Sequence, residues 1–189
     1  MKLYDSINEM ALYNYGLITS AQASKLGVRL KDLLEWVKIG RLEKCWRGVY
    51  RLVHYLPTEY DRYAEALATV GKDAMIWGES VLAMHNLALV NPDKIEVATA
   101  HRVRKKLPVW IKLIKLQEDT LSDDFNGIRC QPLSAAFRHC HKIIMPQRFA
   151  EAIHEAEQKG LLGYSEAKKL KKNVISHCEL CKKVGLAIR

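Results

Sequence analysis

The sequence predicts an α+β chain in which three short helices and a β-hairpin come first and a small β-sheet covered by helices follows. Three observations predict it. Apolar residues recur at helical spacing in three separate runs before residue 40, and two β-prone runs around an Arg-Gly turn follow at residues 41–52. From residue 95 the pattern changes to short strands and then returns to helices. A length of 189 residues with 49% hydrophobic and 27% charged residues matches ordinary globular usage and excludes disorder as a class.

In the first run, Ser6 to Tyr15, the residues Ile7, Met10, Ala11 and Tyr13 or Asn14 fall on one face, and Gly16 closes the helix. Thr19 or Ser20 caps a second, short helix with Ala21, Ala23, Ser24 and Leu26 inward and Gly27 as its stop. Ala23 is small enough for a tight helix crossing, and Gly27, four residues on, supplies the turn. The third run, Arg29 to Ile39, sets Leu30, Leu33, Leu34 and Val37 at i, i+3, i+4 and i+7, leaving Arg29, Lys31, Asp32, Glu35 and Lys38 on the other face. The segment Arg41 to Leu52 then reads as two strands around Arg47-Gly48. Three helices and a hairpin make a winged helix-turn-helix, whose second helix of the motif enters the major groove. Arg29, Lys31 and Asp32 are the candidates for base edges and Arg41, Lys44, Arg47 and Arg51 those for phosphates, with Thr19, Ser20 and Lys38 as further DNA-binding candidates.

A boundary falls at His54 to Thr58, where Pro57 ends the β-like stretch and Thr58, with Asp61 three residues on, opens a capping-box pattern. The expected domains are therefore 1–56, binding DNA, and 57–189, an α/β domain. In the latter, Thr58 to Val70 is a helix with Tyr60, Tyr63, Ala64 and Leu67 inward, and Glu79 to Leu87 is a second. Ile95 to Ala100, Val109 to Leu116 and Gly127 to Cys130 read as strands, and Leu133 to Ile144, Pro146 to Lys159 and Ser165 to Ile175 as helices.

Charge sharpens the function classes. Lys and Arg number 30 against 21 Asp and Glu, a net +9, so an anionic partner is favoured and nucleic acid leads. The excess is clustered: residues 1–56 hold nine basic and five acidic groups, and residues 101–115 hold six basic and none acidic. Arg102, Arg104, Lys105 and Lys106 form a possible secondary basic site, while the tail lysines (Lys168, Lys169, Lys171, Lys172, Lys182, Lys183) read as the solvent face of a helix. No run of about 18 apolar residues occurs and the first ten residues carry Lys2, Asp5 and Glu9, so a cytoplasmic protein without membrane attachment is expected. Five cysteines, an odd number, fit free thiols.

No catalytic residue, metal or cofactor is expected. Cys178 and Cys181, with His177 and the upstream His139-Cys140-His141, have zinc-binding residue types but only one CxxC pair. Ser80 and His85 lack the second glycine of a nucleophile elbow, because position 82 is Leu. Asp93 and Glu96 beside the basic segment leave a metal-dependent nuclease as one alternative, although no acidic-x-Lys triplet follows the strand. A protein-interaction module for an acidic partner is the other.

The stretch from Tyr15 to Trp110 resembles the AbiEi-type antitoxins of type IV toxin–antitoxin systems. The resemblance rests on Gly16-Leu17-Ile18-Thr19-Ser20-Ala21-Gln22-Ala23, on Gly40-Arg41-Leu42-Glu43 leading into Arg47-Gly48-Val49-Tyr50-Arg51-Leu52, and on Trp77-Gly78-Glu79-Ser80-Val81-Leu82-Ala83-Met84-His85-Asn86-Leu87. The last is similar to the family's Ser-Ala-Leu-Ala-Leu-His-Gly-Leu helix. The resemblance implies a transcriptional autorepressor that binds operator repeats in double-stranded DNA. It also implies a C-terminal domain that counters a nucleotidyltransferase-like toxin without a stable complex. Ile128 to Ala136 departs from the family's Thr-rich strand and acidic helix start.

Overall fold

A computed structural model describes residues 2–87, 90–116 and 120–172. The chain is α+β with two sheets, and among the described residues no helix is long and apolar enough to cross a membrane. The first unit runs α1 (Lys2–Leu12), β1 (Leu17–Thr19), α2 (Ser20–Lys25), α3 (Leu30–Lys38), β2 (Leu42–Trp46) and β3 (Val49–Leu52). Its sheet is antiparallel in the order β1-β3-β2, with Leu17 opposite Arg51 and Leu42 opposite Leu52. Ile7, Ile18, Ala23, Leu33, Tyr50 and Leu52 close the core beneath it.

Two faces are turned relative to the sequence reading. Tyr13 is 88% exposed, and the inner face of α1 runs through Tyr4, Ile7 and Ala11 instead. In α3, Leu30 and Leu34 are 58% and 47% exposed, while Leu33 is buried and Trp36 and Val37 are half-buried. The reason is Trp36: its ring meets Tyr4 of α1 edge-on, with centroids 5.2 Å apart, and this larger apolar surface takes the inward position. In α2 only Ala23 is buried; Ala21 and Ser24 face out.

The second unit runs α4 (Asp61–Val70), β4 (Met75–Ile76), α5 (Glu79–Met84), β5 (Ile95–Thr99), β6 (Ile111–Lys115), β7 (Asp123–Phe125), β8 (Ile128–Cys130), α6 (Leu133–Cys140) and α7 (Pro146–Gln158), with a further helical run over 164–172. Asp61 accepts hydrogen bonds from the Thr58 N–H at 2.9 Å and the Thr58 hydroxyl at 2.7 Å, which anchors the start of α4. The sheet is mixed, in the order β6-β5-β4-β8-β7, with β5–β6 and β4–β8 parallel. Two of its strands, β4 and β7, are absent from the sequence reading. β4 is only two residues long and β7 carries two aspartates, so neither shows a strand period. Because β5 and β6 are parallel, residues 100–110 must cross from the end of one to the start of the other, and this crossover is the basic segment.

No helix or strand lies between Leu52 and Asp61, yet the two units share a core: Leu17 and Val49 belong to the same buried cluster as Ala64, Ile76 and Val97. Arg51 spans the junction, with Glu65 at 3.0 Å and Asp61 at 4.0 Å from its guanidinium. The Tyr15 hydroxyl donates to the Asn126 carbonyl, and Trp46 Nε1 donates to the Lys106 carbonyl at 3.2 Å. Gly16 sits at φ +68, and a Cβ there would overlap the Tyr55 ring, so the closure of α1 onto the connector requires glycine.

Two outcomes follow from the junction and the sheet. Arg51→Ala leaves Asp61 and Glu65 without their cation in a largely water-excluded place. It should lower the unfolding free energy by about 3 kcal/mol in urea titration, at the low end for a broken buried pair. His85 packs its ring 4.0 Å from Phe125, and burial pushes its pKa down from 6.5 to about 4. The folded state therefore takes up that proton later than the unfolded state. The stability of the neutral ring is complete above pH 6.5 and is lost as the pH falls towards 4. His85→Leu should flatten that part of the melting-temperature profile between pH 7 and pH 4.

Candidate nucleic-acid interface

The candidate interface centres on the α2-turn-α3 segment. Thr19 N-caps α2, where its hydroxyl oxygen accepts from the Gln22 N–H at 3.2 Å while Gln22 Oε1 accepts from the Thr19 N–H at 2.8 Å. At the other end Gly27, at φ +78, lets the Val28 N–H donate back to the Ala23 carbonyl at 3.0 Å. α3 then opens on Arg29, whose N–H donates to Asp32 Oδ2 at 3.1 Å.

These contacts reassign four predicted site residues. The hydroxyls of Thr19 and Ser20 are engaged internally, Ser20 Oγ donating to the Gly48 carbonyl at 3.2 Å. Asp32 is held by Arg29, its side chain at 3.1 Å from Arg29 Nε, and this bond keeps the carboxyl below its ordinary pKa. Asp32 is thus a cap and not a reader of base edges. Arg51 is withdrawn as a phosphate ligand, because its side chain is only 20% exposed and committed to Glu65. The sequence shows its charge, but not that α4 returns to meet it.

Arg29, Lys31, Lys38, Arg41, Lys44 and Arg47 are all exposed. They do not converge on one spot. Lys31 and Lys38 lie on the outer part of α3 beside the exposed Leu30 and Leu34. Arg29 and Arg41 line a cavity of about 470 Å³ with Tyr4 and Trp36, where the Arg41 guanidinium stacks 4.8 Å from the centre of the Tyr4 ring. Arg47, at the hairpin turn, opens on a different cavity of about 550 Å³, shared with Lys25, Lys72 and Lys105.

Arg102, Arg104, Lys105 and Lys106 are exposed, and the crossover that carries them is fastened to β2 by the Trp46–Lys106 hydrogen bond. The fold therefore brings Lys105 and Arg47 to one cavity, although they are 58 positions apart in the sequence. Lys25 and Lys72 escaped the sequence reading because each is an isolated cation at a helix end. Among the described tail lysines, Lys171 pairs with Glu157 at 2.7 Å and Lys168 lies 6.0 Å from the centre of the Tyr164 ring.

A second cluster lies on the other unit. Glu96 is 5% exposed and pairs through Oε1 with Lys112 at 2.7 Å, while its Oε2 accepts from the Glu79 N–H at 3.3 Å. Burial and the Glu96 charge raise the pKa of Glu79. Ser80 Oγ accepts from the Glu96 N–H at 2.8 Å, a structural bond within the buried sheet end. Lys112 faces Glu96 because of the parallel register, a placement that no local acidic-x-Lys motif reveals. Cys140 is buried, with its thiol pushed up to about 12 by that burial; Cys178, Cys181 and His177 lie outside the described residues.

No family model matches the chain, and no curated protein matches it. Among solved structures it is similar to the RV2827C protein from Mycobacterium tuberculosis, at 12% identity and a TM-score of 0.39, over 92% of this chain and 78% of that one. A likeness of that size assigns neither fold nor function.

The capping geometry separates structural from interface roles. Thr19→Ala should lower stability by about 1 kcal/mol in urea titration, whereas Lys31→Ala, on the exposed face of α3, should change it by less than about 0.5 kcal/mol.

Proposed function

We propose that the protein is a DNA-binding transcriptional regulator of the cytoplasm whose residues 1–56 act as a winged helix-turn-helix, with residues 57–189 as a second domain. The observation that carries this reading is the tight α2–Gly27–α3 connection, followed by a hairpin whose turn residue Arg47 stays exposed and unpaired among the described residues. The outer part of α3 offers Lys31 and Lys38 for bases and phosphates, and Leu30 and Leu34 for the methyl groups of thymine. Arg41, Lys44 and Arg47 supply phosphate contacts at the flanks, and Lys105 extends them from the crossover.

The resemblance to AbiEi-type antitoxins supports a narrower form of the proposal. The chain then represses its own promoter by binding operator repeats, and the second domain counters a nucleotidyltransferase-like toxin without holding it in a stable complex. A gel-shift series on the DNA upstream of its own gene tests the first part. Arg47→Ala should weaken binding by a similar factor on all duplexes, and Lys31→Ala should cost about 1 to 3 kcal/mol at particular base positions. Unchanged affinity in both variants overturns the reading.

The metal-dependent nuclease alternative would have to use Glu79 and Glu96 beside Lys112, but among the described residues no group of three or more His, Cys, Asp or Glu is placed to hold a metal ion. Incubation of plasmid with the protein and magnesium chloride tests it. Intact supercoiled DNA is the result expected here, and nicking lost in Glu96→Gln would establish the alternative.

A further inference from the structure

The cavity of about 550 Å³ between the hairpin turn and α4 has a composition that the DNA-binding reading does not account for. Four cations from four separate segments reach it: Lys25 at the end of α2, Arg47 in the turn, Lys72 after α4 and Lys105 in the crossover. No Asp or Glu lines it, and none of the four has an ion-pair partner among the described residues. Lys105 is partly withdrawn from water, and that desolvation lowers its pKa. Bringing unneutralised cations together is costly unless an anion joins them.

The floor is of opposite character. Leu67 and Ala68 of α4, both half-buried, present an aliphatic surface backed by the buried Ala64 and Ile128, and the small Ala68 leaves it open instead of filling it. The volume lies within the range of small-molecule sites, which combine mainly apolar walls with a few placed polar groups. A bare phosphate or sulfate satisfies the rim but leaves the floor wet, and a duplex passing the rim likewise leaves the floor uncovered.

We propose that this cleft is a binding site for a small organic anion, a carboxylate, sulfonate or phosphate ester with an apolar body, whose charge meets Lys25, Arg47, Lys72 and Lys105 and whose body rests on Leu67 and Ala68. A regulatory consequence rests on the DNA-binding reading: Arg47 serves both partners, so the ligand and the duplex compete.

The test uses 8-anilino-1-naphthalenesulfonate, an anion with an apolar body, titrated by fluorescence into the full chain at neutral pH and low salt. Saturable binding at one site is expected. Lys72→Ala combined with Lys105→Ala, two exposed positions that leave the fold intact, should weaken it by about tenfold or more. Ala68→Glu should abolish it by placing a carboxylate on the floor. Melting temperatures report whether each variant is folded; if Ala68→Glu unfolds, the double lysine variant decides. Dye affinity unchanged in folded variants, or no saturable binding by the wild-type chain, overturns the site. Duplex binding measured on the same samples keeps the two readings apart. Dye bound without any duplex binding sinks the regulator proposal alone, and duplex bound without the dye sinks the cleft alone. If both bind, displacement of the duplex by the dye is expected, and independent binding overturns the coupling through Arg47.

Discussion

The meeting of the hairpin turn with the basic crossover depends on how the first unit is fixed to the second, and the Arg51 ion pair lies at the centre of that attachment. Arg51 leaves β3 opposite Leu17 and meets Glu65 and Asp61 of α4, while Leu17 and Val49 sink into the larger core beside Ala64. Apolar burial supplies the attraction, and the single Arg51–Glu65 hydrogen bond, with the Asp61 carboxylate 4.0 Å from the same nitrogen, matches charge across the junction. With that docking set, Trp46 can reach the Lys106 carbonyl, and the crossover lies against the hairpin. The meeting of Arg47 and Lys105 is thus a result of packing at a distance, and a change in the docking angle would dissolve it.

The local grammar of the first unit was legible in the sequence. Thr19 and Gln22 form a capping box, Gly27 and Gly40 take positive φ where a helix must stop, and Arg47-Gly48 turns the hairpin. Rules that act within four residues suffice for these features. Faces were harder to read. The spacing of Leu30, Leu33, Leu34 and Val37 is compatible with an inward stripe, but Trp36 and its edge contact with Tyr4 rotate the buried arc by about one position. An aromatic ring outweighs a leucine in such a contest because it removes more area from water.

What was not legible is non-local. The two-residue β4 is defined only by its neighbours β5 and β8, and it carries no period of its own. Glu96 finds Lys112 through the parallel register, and Arg51 finds Glu65 through the return of α4. The candidate site divides along the same line. Lys31, Lys38, Lys44 and Arg47 could be nominated from helix and hairpin patterns, whereas Lys25 and Lys72 meet Arg47 and Lys105 only once four separate chain segments line one cleft. Conversely, Thr19, Ser20 and Asp32 have polar side chains of the right type but spend them on caps and turns.

The central claim is that these exposed cations form a surface for the phosphates of a duplex. The salt dependence of binding by the wild-type chain, followed by fluorescence anisotropy on DNA from upstream of its own gene, tests that claim most directly. Each neutralised phosphate contributes about 0.9 to the slope of log K against log salt, so a linear fall with a slope of about −4 or steeper is predicted. Absence of retention at low salt, or an affinity indifferent to salt, would contradict it.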